Sequence, residues 1–141
     1  MAWMPDGSGV LLGRSGPNGT SYRILDLKTG NAKPLFTVSS GQSASSISPD
    51  GKRLAFSEKI FGGKVAWYAS DVDGSHRRLI MDTEPAYTIS PAIWGPDSHW
   101  LVFTTSDQAE HPNTHVMLLQ VDTCQIVPLP GIIGNVSAWT P

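Results

Sequence analysis

The sequence predicts an all-β chain made of repeated four-stranded units, and three observations carry that reading. A Pro-Asp-Gly type of turn returns behind an apolar strand, at Trp3-Met4-Pro5-Asp6-Gly7, Ile47-Ser48-Pro49-Asp50-Gly51 and Trp94-Gly95-Pro96-Asp97-Ser98. Trp139-Thr140-Pro141 opens a fourth copy, and successive prolines lie 44, 47 and 45 residues apart. The apolar runs are short, rich in β-branched and aromatic residues, and bounded by turn residues, with no sustained helical period. Four strands per ~40–45 residues is the unit of a propeller blade. The expected fold is therefore a partial β-propeller: three four-stranded antiparallel blades plus one inner strand.

The second repeat shows the pattern most clearly. Ala44-Ser45-Ser46-Ile47-Ser48 is a small-residue strand, and Pro49-Asp50-Gly51-Lys52 turns the chain. Proline presets φ there and glycine accepts a positive φ. Arg53–Ser57 is the next strand, with Leu54 and Phe56 apolar at alternate positions, Ile60–Lys64 is a loop, and Val65–Ser70 is a longer strand. Asp71-Val72-Asp73-Gly74-Ser75 turns again into Arg77–Ile80, whose charges suit an open edge. In the first repeat the strands are Ala2-Trp3, Gly9–Gly13, Tyr22–Leu27 and Ala32–Phe36, with Pro34 tolerated at an edge. In the third they are Pro91–Trp94, Trp100–Thr104, His115–Val121 and Gln125–Leu129. Ser98 and the Asp122-Thr123-Cys124 turn lack the repeat glycine, which predicts a less regular third blade. The whole chain, 1–141, reads as one propeller segment: blade one about 2–40, blade two about 44–83, blade three about 89–130, and the inner strand of a fourth about 134–141. Trp3, Trp94 and Trp139 share one repeat position and are expected to be packing residues.

These residues resemble a known family. Ser46-Ile47-Ser48-Pro49-Asp50-Gly51-Lys52-Arg53-Leu54-Ala55-Phe56 with the later Asp71-Val72-Asp73-Gly74, and Ser90-Pro91-Ala92-Ile93-Trp94-Gly95-Pro96-Asp97, look like the WD-repeat-like propeller repeat of the TolB type. The resemblance covers essentially the whole chain. It implies a non-catalytic protein-interaction or sensor module, and a periplasmic or extracytoplasmic location. The same repeats occur in the propeller part of prolyl-oligopeptidase-like serine peptidases, so the alternative is such a segment with its catalytic domain elsewhere.

Three blades fall short of the roughly four that close the smallest usual propeller. An open array leaves apolar blade faces in water. The expectation is a fragment of a longer, bacterial-type chain, completed by the remaining blades or by a protein partner. A homodimer closing the ring with six blades is the next reading, and residues 132–141 are expected to add to a sheet other than that of 91–129.

Composition narrows the function classes. A net charge of -2 and a pI near 6.0 give no electrostatic support for nucleic acid. The ten Lys and Arg residues read as scattered, with Arg77-Arg78 an arginine doublet. No apolar run approaches the ~20 residues of a membrane helix, so no membrane insertion is expected. Cys124 is the only cysteine, so no internal disulfide forms.

No catalytic constellation emerges, and no cofactor is implied. Gly41-Gln42-Ser43-Ala44-Ser45 lacks the closing glycine of a nucleophile elbow. Gly62-Gly63-Lys64 lacks the leading glycine and the helix of a phosphate loop. Asp71-Val72-Asp73-Gly74 reads as an ordinary turn, without the downstream Glu of a calcium loop. His111 and His115, near Asp107 and Glu110, have a zinc-compatible spacing but read as a solvated loop, so no metal is assigned. Asp6, Asp50 and Asp97 recur with the repeat, which makes them turn-formers that bond their own backbone two residues on. The loops least faithful to the repeat are the contact candidates, represented by Asn18, Phe61, Glu110 and His111. Phe61 is an exposed anchor in this reading, and Trp67 packs between blades.

Overall fold

The computed structural model describes residues 2–38, 45–82, 87–89, 92–107 and 114–132. Three antiparallel sheets follow one another along the chain. The first runs β1 (Ala2–Trp3), β2 (Gly9–Gly16), β3 (Gly19–Asp26), β4 (Ala32–Val38), each hydrogen-bonded to the next. The second repeats that order with β5 (Ser45–Ile47), β6 (Arg53–Lys59), β7 (Val65–Asp71) and β8 (Arg78–Asp82). In the third, β9 (Tyr87–Ile89) and β10 (Ile93–Trp94) both pair with β11 (Trp100–Asp107), which leads to β12 (Thr114–Gln120) and β13 (Gln125–Leu129). The inner strand of this sheet is thus in two pieces. Tyr87–Ile89, absent from the sequence reading, meets the far end of β11 at Thr105–Asp107, while Ile93 and Trp94 pair with Val102 and Leu101.

The recurring turns form as their residues dictate. Asp6, Asp50 and Asp97 each accept a hydrogen bond from the backbone N–H two residues on, that of Ser8, Lys52 and His99, at 2.9, 3.1 and 3.0 Å. Gly7 and Gly51 both sit at φ +72°. The third sheet keeps this geometry without glycine: Ser98 takes φ +61°, and Cys124 takes φ +60° where Gly30 and Gly74 serve the other sheets. The expected irregularity is therefore a conformational strain and not a loss of the turn, because the two flanking hairpins hold these residues left-handed.

Strand alternation gives each sheet two apolar faces, and the sheets stack on them. Leu54 and Phe56 on one face of the second sheet pack with Leu11, Tyr22 and Val38 of the first. An aromatic series, Tyr22–Phe36–Phe56–Tyr68, crosses that boundary with centroids 5.1, 5.5 and 5.7 Å apart, the spacing at which rings attract. On the opposite face Ala55, Trp67, Ala69 and Ile80 meet Trp94, Leu101, Phe103 and Leu119 of the third sheet. The inner strands β1, β5 and β10 lie side by side in that order. Trp67 is an intersheet residue, as its sequence position suggested, and its buried indole N–H has no hydrogen-bond partner.

The repeated tryptophans do not behave alike. Trp94 is 5% exposed and rests on the second sheet, whereas Trp3 is 65% exposed. The reason is order in the stack. Each sheet lays this position on the sheet before it, and among the described residues no sheet precedes β1–β4. Trp139 and the expected inner strand at 134–141 lie outside the described residues.

Candidate functional site

Two kinds of surface emerge from the stack: a row of hairpin loops at one end, and a charged cleft between the second and third sheets at the other.

Asn18 lies in the turn between β2 and β3, and Phe61 in the short 3-10 turn Phe61–Gly63 between β6 and β7. Both loops join the second strand of a sheet to the third, so they occupy corresponding places, at the end opposite the Pro-Asp-Gly turns. The Phe61 loop is tight because Gly62 and Gly63 take φ +80° and +78°. The side chain of Phe61 is left fully exposed. Around Asn18 the surface forms an open hollow of about 410 Å³, lined among others by Arg14, Ser15, Arg23 and Thr37. Glu110 and His111 belong in sequence to the corresponding loop of the third sheet and lie outside the described residues, as does the His111 half of the zinc-spaced pair; His115 is an exposed residue of β12.

The cleft, about 320 Å³, is lined by Arg53, Asp71, His76, Arg78 and Asp122 together with Ser70. Sequence reasoning did not find it, because its members come from different repeats. Asp122 accepts from Arg53 Nη1 at 2.8 Å and lies 2.8 Å from His99 Nδ1. Arg78 reaches the backbone carbonyls of Val121 and Asp122. The His99 hydrogen bond, with Arg53 behind it, holds the Asp122 carboxyl below the usual carboxylate range despite some burial. His99 Nδ1 is also 3.2 Å from Arg53 Nη2, so this one nitrogen either donates to Asp122 or accepts from the guanidinium. Nearby, His76 Nδ1 lies 2.7 Å from Asp71 Oδ2, and that hydrogen bond raises the imidazole pKa. Every charge on Arg53, Arg78 and Asp122 is met inside the cleft, so the cluster clamps two sheets together. Among the described residues no group of three or more His, Cys, Asp or Glu converges as a metal would require, and no helix is long and apolar enough to cross a membrane.

The cations also proved less dispersed than their spacing suggested. All ten Lys and Arg residues fall at or before Arg78, alongside six of the twelve acidic residues, so residues 1–78 carry +4 and residues 79–141 carry -6. A running charge count along the sequence reveals this polarity; a count for the whole chain hides it.

No family model matches the sequence. The three-sheet stack has the fold of TolB-type β-propellers. It superposes on TolB from Acinetobacter baumannii with a TM-score of 0.71 at 22% identity, covering 91% of this chain and 31% of that one. The corresponding figures for a putative TolB from Agrobacterium tumefaciens are 0.73, 22%, 95% and 49%. An enzyme shares the fold as well: the Pyrococcus horikoshii acylaminoacyl peptidase matches with a TM-score of 0.62 at 16% identity, over 88% of this chain and 24% of that one. The chain thus spans about a third to a half of the TolB structures it matches.

Proposed function

We propose that this chain is a non-catalytic protein-interaction or sensor module, a segment of a TolB-like propeller whose blades are the three sheets and whose contacts are made by the loops joining second to third strands. One observation carries the reading: Phe61, a fully exposed aromatic, stands at the tip of a hairpin fixed to a packed sheet. Exposed aromatics on a rigid frame are the residues that anchor protein partners. Asn18 flanks the same end, and Glu110 and His111 belong to the third such loop by sequence. Further blades, or another protein, complete the ring in this reading, and the resemblance to TolB favours an extracytoplasmic location.

The test is site-specific photo-crosslinking in cells, with a benzophenone amino acid at position 61 or at Leu27, an exposed apolar residue at the opposite end of the first sheet. A discrete adduct from position 61 and none from position 27 supports the reading. Equal or absent adducts at both overturn it.

The likeness to the acylaminoacyl peptidase supports a second reading, a propeller segment that screens substrate for a serine peptidase domain elsewhere. Fluorophosphonate labelling of the intact gene product distinguishes the two, since only a peptidase carries an activated serine.

A further inference from the structure

The repeat breaks on the outward face of the first sheet, at the end that carries the Asn18 loop. Arg14 and Ser21 are register partners there, Ser21 pairs in turn with Thr37, and Arg23 lies two residues along from Ser21. Strand alternation puts these four side chains on one face, and all four line the hollow of about 410 Å³. By repeat position Arg14 stands where the second sheet has Glu58 and the third has Thr105. Arg23 stands where they have Tyr68 and Met117. The first sheet thus places two exposed guanidiniums as diagonal neighbours where the other two sheets have no cation.

The first sheet does not neutralise them. Among the described residues neither arginine makes an ion pair. From Gly9 to Val38 the sequence has one carboxylate, Asp26. It closes the turn at the opposite end of β3, accepting from the Lys28 and Thr29 N–H groups at 2.8 Å each. Like charges on adjacent strands repel, so the pair costs stability unless an anion offsets it. The second sheet shows which anion fits this corner of a sheet. Glu58 is buried there and paired with Arg77, whose guanidinium lies 3.9 Å from the Tyr68 ring centroid. In the first sheet both positions are cations, so a carboxylate has to come from outside it. The rest of the hollow is neutral and forms hydrogen bonds through the Ser21 and Thr37 hydroxyls and the Asn18 amide. Such groups suit the peptide amides on either side of a carboxylate side chain.

We propose that the hollow beside the Asn18 loop is a binding site for an acidic peptide segment, with Arg14 and Arg23 gripping an Asp or Glu side chain of the protein partner. The inference rests on the reading of the hairpin loops as the contact surface, and it names the chemistry that the first loop selects. Arginine is the residue for this task because its planar fork takes a carboxylate through two parallel hydrogen bonds.

NMR titration of the full 15N-labelled chain tests it, read at the arginine side-chain Nε–H signals. The probes are acetyl-Gly-Glu-Gly-Glu-Gly-amide, its glutamine counterpart, and inorganic phosphate. The expected result is a saturable shift of the Arg14 and Arg23 signals with the glutamate peptide, while those of Arg53 and Arg78, already engaged in the cleft, stay in place. Exchanging glutamate for glutamine weakens binding by roughly tenfold or more, because the charge-assisted bonds are lost. R14Q/R23Q abolishes the response, and R14K/R23K weakens it by several-fold although the charge is kept. Both side chains are exposed, so the backbone amide spectrum of each variant keeps its dispersion. An absent shift, an equal shift at Arg53 and Arg78, or a response that survives R14Q/R23Q overturns the proposal. So does phosphate binding more tightly than the glutamate peptide, which would make the hollow a site for a free oxyanion. The crosslink from position 61 reports on the loops as a contact surface whether or not the peptide binds, so failure of that reading and failure of this one show separately.

Discussion

Trp94 donates its indole N–H to the carbonyl of Ser46, 3.2 Å away, across the boundary between the third and second sheets. Ser46 returns a bond from its hydroxyl to the Ala92 carbonyl at 3.1 Å. The inner strands are therefore stitched together by one side chain from each. Trp94→Ala is expected to cost ~3–5 kcal/mol, as for other buried large-to-small changes. Trp3→Ala, at the same repeat position, is expected to change monomer stability by less than ~0.5 kcal/mol. Urea unfolding at high salt measures both.

Phe36 of the first sheet lies over Gly74 of the second. A Cβ at position 74 would fall 2.3 Å from the Phe36 Cδ1, and φ there is +87°. Gly74→Ala is thus both overpacked and conformationally strained, with an expected loss of ~1–3 kcal/mol. Removing the ring with Phe36→Ala takes away the Cγ and Cδ1 and so relieves the clash but not the backbone strain. The double variant should therefore be more stable than the sum of the single losses implies, a coupling that a double-mutant cycle detects.

The third sheet's strained turns predict a gain. Cys124→Gly removes a Cβ from a left-handed residue and is expected to stabilise by up to ~1 kcal/mol. Ser98→Gly gains less, because the Ser98 hydroxyl also accepts from the Asp50 N–H at 3.1 Å. Thermal melts of the two variants rank them.

Stability should fall at both pH extremes. The His99 and Arg53 contacts hold Asp122 below the usual carboxylate range. At Asp50 burial pushes upward, but the Ser48 hydroxyl, the Lys52 N–H and nearby cations outweigh it, so its pKa is lowered as well. A depressed native pKa contributes stability above the unfolded value, about 4, and that stability is lost as pH falls through the lower native values. His76 is raised by Asp71. Its contribution is full below about 6.5 and is lost as pH rises through the raised value. Melting temperature against pH should show D122N flattening the acid limb and H76Q flattening the alkaline one.

The fold was legible because the repeat carries it locally. Proline, aspartate and glycine dictate the turn, and alternation dictates the strand faces. Tyr87–Ile89 escaped because three residues beside a proline-broken segment give no period to read. The exposure of Trp3 was hidden for another reason: repeat equivalence predicts what a residue packs against, not whether that neighbour is supplied. The clamp around Asp122 joins residues from three places in the chain, Arg53, His99 and Asp122, that no local pattern links. Of the contact residues, Asn18 and Phe61 stand on corresponding loops, which follows from their shared place between second and third strands.

The account rests on sheets stacked so that each inner-strand tryptophan lies on the sheet before it. The most direct test is 19F NMR of the chain labelled with 5-fluorotryptophan, dilute and at high salt, with resonances assigned by Trp→Phe variants. The expected result is a Trp94 resonance untouched by a soluble paramagnetic quencher, and a Trp3 resonance broadened away at the same quencher concentration. Equal protection of the two, or a Trp94 as open as Trp3, would contradict the stack.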